Sequence, residues 1–133
     1  MRNLLPDISF TVPVEPTPKN STKWGRGRAY TPAKVRNAAQ AIRDYIKENY
    51  RGAPLDGPLG LDVVYYRRRP ASKRKSKVWA DTKPDEDNYT KLFKDALEGI
   101  LWTNDSRISD GRYRKMFTDG PGRIEFRLWQ LQE

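Results

Sequence analysis

The chain has no cysteine and no histidine among its 133 residues. Without thiols there can be no disulfide framework and no thiol nucleophile. Without either residue there is no structural zinc of the usual Cys/His kind and no His-based triad. Long apolar runs are missing too. Nothing approaches the roughly 20 residues needed to span a bilayer. The N-terminus, Met1-Arg2-Asn3-Leu4-Leu5-Pro6-Asp7, lacks the apolar run of a signal peptide. The expected place is therefore the cytoplasm, with no membrane partner, and the chemistry left to the chain is that of its carboxylates.

Charge is what the sequence has in quantity, and it is unevenly spread. There are 26 Lys plus Arg against 17 Asp plus Glu, a net of +9. Residues 81 to 110 hold eight acids (Asp81, Asp85, Glu86, Asp87, Asp95, Glu98, Asp105, Asp110) and only four bases (Lys83, Lys91, Lys94, Arg107). That window carries −4 and the remainder of the chain +13. An acidic island in a basic protein suits hydrolysis of a polyanion. A basic surface holds the phosphates, and clustered carboxylates hold a divalent ion that activates water. Hard oxygen ligands point to Mg²⁺ or Mn²⁺.

A length of 133 residues fits one domain, 1–133, large enough for a single core. Ile8, Phe10 and Val12 alternate with polar residues before Pro13 and predict a first strand. From Pro13 to Tyr30 come three prolines, two glycines and the bases Lys19, Lys23, Arg26 and Arg28, with Trp24 and Tyr30. This 13–30 segment reads as a basic arm for backbone phosphates or, equally, as a solvated loop. Thr31-Pro32 predicts a helix start, with Thr31 as cap and Pro32 at the first helical position. Val35, Ala38, Ala39, Ile42, Tyr45 and Ile46 give that helix a buried stripe ending near Asn49 to Gly52. Leu59, Leu61, Val63 and Tyr65 alternate and predict a well-buried strand.

Arg67-Arg68-Arg69-Pro70-Ala71-Ser72-Lys73-Arg74-Lys75-Ser76-Lys77 has seven bases in eleven residues and no apolar periodicity. It cannot be core. A run of this kind is usually a solvated loop, but this one leads through Trp79 into the acidic island, where a phosphate backbone would have to pass. The 67–80 basic loop is therefore a candidate DNA or RNA contact, through Arg67, Arg68, Arg69, Lys73, Arg74, Lys75 and Lys77.

In the acidic stretch, Tyr89, Leu92, Phe93, Ala96, Leu97, Ile100 and Leu101 recur at helical spacing, so a second helix should bury that face. Pro84 keeps a helix from running in from upstream, and Asp85 and Asp87 fall at its first turn, where the helix dipole favours anions. One Asp would satisfy a cap, and Lys91 could pair with Asp87 and Asp95 at i,i+4. Three consecutive acids exceed what a cap needs and repel one another unless a cation lies between them. Capping and a metal site both remain open on spacing alone. An EF-hand is excluded, because the sixth and twelfth positions counted from Asp85 are Thr90 and Ala96 instead of Gly and Glu. Gly99 is expected to loosen the last turn of this helix without stopping it. Beyond a turn at Thr103-Asn104-Asp105-Ser106, Arg107 to Phe117 and Arg123 to Leu131 predict two strands of a hairpin, with Ile124, Phe126 and Leu128 on one face. The order of elements predicts an α+β domain, with two helices on one face of a small mixed sheet and a C-terminal β-hairpin.

Pro84-Asp85-Glu86-Asp87-Asn88-Tyr89-Thr90-Lys91, then Asp95-Ala96-Leu97 and Trp102-Thr103-Asn104-Asp105-Ser106, resembles the signature of the RusA-type Holliday-junction resolvases of phages and prophages. The arm from Pro18-Lys19 through Gly27-Arg28-Ala29-Tyr30-Thr31-Pro32 is similar to that family's N-terminal region. The resemblance implies a homodimer that nicks opposing strands of four-way DNA junctions in recombination and repair, using Mg²⁺ or Mn²⁺, in the host cytoplasm if phage-encoded. It also implies that Asp85, Asp87 and Asp105 are metal-binding catalytic acids and Lys91 an essential base. Asn104 departs from the acidic pair that relatives can carry there, and Glu86 stands where an apolar residue is common. The reading from another class is a non-catalytic nucleic-acid-binding module that uses the arm and loop, with the acids as cap and salt bridges.

Overall fold

The computed structural model describes residues 8–19, 23–25, 28–30 and 32–133. Its organising element is strand β4 (Leu59–Arg68). Leu59, Leu61, Val63 and Tyr65 are all fully buried on one face of it, as the period-2 alternation predicts. A strand this apolar needs cover on both edges. It has β5 (Ile108–Thr118) parallel on one side and β6 (Arg123–Gln130) antiparallel on the other, with β1 (Ile8–Val12) beyond β6. The order β1-β6-β4-β5 makes a mixed four-stranded sheet.

The predicted C-terminal hairpin does not form. Both strands exist near the expected bounds, but β4 lies between them, so β5 and β6 do not pair with each other. The reason lies in burial: of β5 only Phe117 is buried, which suits an edge strand, whereas β4 is the strand whose residues must be covered. The link from Thr118 to Arg123 is long enough to cross β4, because two strand spacings are about 10 Å.

Helices α1 (Ala33–Asn49) and α2 (Glu86–Leu97) cover one face of the sheet. Val35, Ile42 and Ile46 of α1 and Tyr89, Leu92, Phe93, Ala96 and Leu97 of α2 meet Val12, β4, Ile124, Phe126 and Leu128 in one core. Phe93 is central to it, 5.1 Å from the Phe126 ring, 6.2 Å from Tyr65 and 6.3 Å from Trp102. Burying a side chain of that size is worth about 2–3 kcal/mol from area alone.

Two helix ends differ from expectation. α1 starts at Ala33, with Pro32 in the cap position at ψ 145°; Thr31 lies outside the described residues. Pro32 still receives the first bonds, from Val35 N and Arg36 N. α2 stops at Leu97: Glu98 is extended and Gly99 has φ 84°. That left-handed turn is open to glycine at little cost, so Gly99 ends the helix cleanly. Ile100 and Leu101 pack into or against the core from the turn that follows. In β4, Gly60 leaves room for Trp129, whose ring would lie 2.3 Å from any Cβ there. The 13–30 arm contributes a short antiparallel pair, β2 (Lys23–Gly25) with β3 (Arg28–Tyr30). Among the described residues no helix is long and apolar enough to cross a membrane.

Candidate active site

Asp85 and Asp87, two positions apart, open α2. Asp85 is its N-cap residue, extended at φ −67° and ψ 150°, and its carbonyl accepts from Asn88 N at 3.1 Å. Its carboxylate makes no capping hydrogen bond. The capping account of this residue therefore does not use its side chain, which lines a shallow cleft with Pro18, Lys83, Pro84 and Asn88. Asp87 is exposed on the first turn, and Lys91 Nζ lies 3.8 Å from its carboxylate, one turn along. Asp95, the other partner expected for Lys91, instead pairs with Lys19 of the arm, and Lys19 N donates to Asn88 O at 2.9 Å. The arm is thereby laid along α2.

Glu86 turns back to the helix. It accepts from Thr90 Oγ1 at 2.5 Å, and that hydroxyl also bonds the Tyr65 hydroxyl at 2.9 Å. Burial pushes the Tyr65 phenol well above its ordinary value, against a smaller lowering by the Thr90 bond. Tyr65 is thus a neutral anchor that joins α2 to β4.

Lys115 and Ala80, which the sequence did not single out, and Arg67, expected as a DNA contact, hold this end of the site. Lys115 Nζ donates to Thr82 O at 2.8 Å and Pro84 O at 2.7 Å, and Arg67 donates to Lys83 O at 3.2 Å. Ala80 N donates to Lys115 O at 3.2 Å and tacks the same loop to β5. Cationic donors on carbonyls are the stronger class of hydrogen bond, and here they fix the loop that delivers Asp85 across a cis Lys83–Pro84 peptide. No periodicity or motif signals contacts between residues 16 to 33 positions apart.

Asp105 lies elsewhere. Its carboxylate accepts from the indole N–H of fully buried Trp102 at 2.7 Å, and its own N–H donates to Glu98 Oε2 at 2.8 Å. Trp102, a core residue, therefore also orients an acid. Asn104 caps the short turn Asp105–Arg107 by accepting from Ser106 N. Close by, Arg107 pairs with Asp56 at 2.6 Å, and Asp56 is held below its ordinary pKa, first by Thr103, then by the Gly57 backbone and by Arg107.

Glu98 caps the C-terminus of α2 and Asp85 its N-terminus, so Asp105 is separated from Asp85 and Asp87 by the length of the helix. Its 12 residues span about 18 Å. The donor set is of the hard-oxygen kind that suits Mg²⁺ or Mn²⁺. One copy of the chain brings together only two of its three predicted members, and among the described residues no group of three acids could hold a metal.

The basic loop divides in two. The Arg69 guanidinium is spent on structure: it pairs with Asp119 at 2.7 Å, donates to the carbonyls of Arg74 and Lys77, and lies 5.5 Å over the Phe117 ring. Lys77 pairs with Asp81 at 2.7 Å, which lowers the Asp81 pKa. Arg68, Arg74 and Lys75 are exposed and Lys73 is half-exposed, beside an outward Trp79 that is 55% accessible. Of the arm residues, Lys23 and Arg28 fall in β2 and β3, where only the backbone is described, and Arg26 lies outside the described residues.

A family model described as Endodeoxyribonuclease RusA matches residues 13–128. The chain is also 33% identical, over 138 residues, to the uncharacterized protein YqaN of Bacillus subtilis (strain 168), an alignment covering 93% of this chain and 96% of that protein.

Proposed function

Because the chain belongs to the RusA endodeoxyribonuclease family, we propose that it is a homodimeric, divalent-metal-dependent endonuclease that nicks opposing strands of four-way DNA junctions, each active site being shared between two copies. The observation that carries the shared site is the separation of the acids: Asp85 and Asp87 begin α2 and Asp105 follows its end. In this reading Asp85 and Asp87 of one copy and Asp105 of the other hold Mg²⁺ or Mn²⁺. The ion supplies Lewis-acid activation of water and charge neutralisation at the scissile phosphate. Lys91, exposed one turn from Asp87, places an ammonium where negative charge builds on the phosphoryl oxygens. Arg68, Lys73, Arg74 and Lys75 grip flanking phosphates, and Arg67 and Lys115 keep the Asp85 loop in place. Two such sites related by a twofold axis match the two opposing strands of a junction.

The test is cleavage of an end-labelled four-way junction beside a matched linear duplex, with Mg²⁺, Mn²⁺ or EDTA. Paired nicks on opposing junction strands, absent with EDTA, are expected. Tight binding with no nicks in any metal, and a salt slope of about 0.9 per neutralised phosphate, would instead identify a binding module.

Trp102→Phe probes the far acid. It keeps most of the core volume but removes the donor to Asp105. Loss of one hydrogen bond to a carboxylate, about 1.5–2 kcal/mol, should slow cleavage by about tenfold or somewhat more. Junction affinity in a gel-shift titration should stay unchanged. A wild-type cleavage rate would remove Trp102 from the orienting role.

A further inference from the structure

We infer that Trp79 is a specificity residue that separates branched from linear DNA, its outward ring stacking on the face of a base left bare at the branch point. The inference deepens the junction reading above and rests on it.

Among the described residues, Val78 and Trp79 are the large hydrophobic side chains left exposed, at 47% and 55% of full accessibility. A lone apolar side chain at a surface is ordinary, but this one is held in place. Phe117 N donates to Val78 O at 2.8 Å and Ala80 N donates to Lys115 O at 3.2 Å, on either side of the antiparallel Trp79–Met116 bridge. Backbone bonds therefore fix the chain before and after the ring, and Ala80, the next residue, is buried. A bridge flanked in this way is the non-hydrogen-bonded kind, which sets its two side chains close together on one face. Met116 is half-buried there and lies across from Tyr66, whose ring carries the Arg123 guanidinium at 3.9 Å. Trp79 thus ends a cross-strand row, with Met116 and Tyr66 on its inner side and solvent on its outer side. An aromatic ring ordered in advance loses little freedom when it binds.

The charge around the ring selects the partner. Lys73, Arg74 and Lys75 precede it in the chain and Lys83 follows it. None of these side chains makes an ion pair among the described residues. An apolar plate among cations complements a nucleobase, which is an apolar plate among phosphates. A second copy of the chain would instead bring the same cations against these, so charge disfavours a self-contact through this ring.

Position along the chain selects which base. Residues 80–84 link Trp79 to Asp85, so the two stand at most about 20 Å apart, or about six base pairs at 3.4 Å each. Lys115, which holds the carbonyls of Thr82 and Pro84, pins that link to the β5 edge. Within this reach of the near acids a linear duplex covers every base with its neighbour, and a ring can enter only by unstacking a step. At a four-way junction the stack is interrupted at the branch point, and the bases there have a face to offer. Every base has such a face, so the ring reads structure and not sequence.

Binding in EDTA keeps the DNA uncut and reads affinity apart from cleavage. By fluorescence anisotropy on a labelled four-way junction and a matched linear duplex, Trp79→Ala should weaken junction binding by about tenfold or more and leave duplex binding within about twofold. Trp79→Phe keeps a ring and should keep most of the junction affinity. 2-Aminopurine placed at the branch point should be quenched by wild type and not by Trp79→Ala. Thermal melts and sedimentation equilibrium on both variants verify fold and assembly. Wild-type junction affinity in Trp79→Ala overturns the inference. Equal losses on junction and duplex also overturn it and mark the ring as a general DNA contact, and a loss that tracks weaker self-association assigns the ring to a contact between copies. If Trp79→Ala loses junction selectivity while wild type never nicks in any metal, the inference stands and the nuclease reading falls. A wild-type chain that binds the junction no better than the duplex overturns both.

Discussion

Asp87→Asn should lower junction cleavage by about a thousandfold or more while leaving junction binding intact. The carboxylate is exposed, and its ion pair among the described residues is with the Lys91 ammonium, at 3.8 Å, so its contribution to folding is below about 0.5 kcal/mol. In the proposed site it is one of three ligands. Losing a ligand charge forfeits several kcal/mol of stabilisation of the developing phosphoryl charge, and each 1.4 kcal/mol is about tenfold in rate. Binding should hold or tighten, because one negative charge beside the DNA is gone. Single-turnover cleavage of a labelled junction, a gel-shift titration and a thermal melt on one preparation separate the three effects. Cleavage within about threefold of wild type would take Asp87 out of the site. A melting point lowered by many degrees would assign the loss to folding instead.

Much of the framework is legible in the residues. The alternation Leu59, Leu61, Val63, Tyr65 and the helical stripe from Tyr89 to Leu97 are patterns of burial, and both faces are buried where the spacing puts them. Asp87 and Lys91 stand together because a single helical turn relates them, and Asp85 precedes that turn as the N-cap residue, so local spacing fixes local geometry. What could not be read is non-local. Two consecutive strands joined by a short turn suggest a hairpin, yet the more apolar β4, which comes from before α2, takes the place between them. The length of α2 then decides that Asp105 stands at the far end of a helix from Asp85, although a linear motif prints the three acids as one signature. The loop held by Lys115 and Arg67, and the indole that aims Asp105, join residues of no common period. Arg69 shows the converse: within a basic run it is indistinguishable from its neighbours, but its guanidinium closes the loop.

Mixing inactive variants should restore nicking, and this separates a shared site from one contained in a single copy. Asp87→Asn and Asp105→Asn are each expected to be inactive as homodimers, since every site then lacks one acid. In a mixed dimer, one site draws its near acids from the Asp105→Asn copy and its far acid from the Asp87→Asn copy, and is intact. The other site collects both substitutions. Random exchange makes about half the dimers mixed, so about a quarter of wild-type sites return. Each restored dimer has one working site and should leave a single nick in a junction, whereas wild type makes the opposed pair. Denaturing gels of a junction labelled on each strand in turn distinguish the two products. If all three acids acted within one copy, no mixture of these variants would contain an intact site, and exchange would restore nothing. The helix that separates Asp85 from Asp105 makes that second outcome hard to reconcile with a three-carboxylate centre. It would leave Asp85 and Asp87 as a two-acid site, with Asp105 held by Trp102 and Glu98 for a structural reason alone.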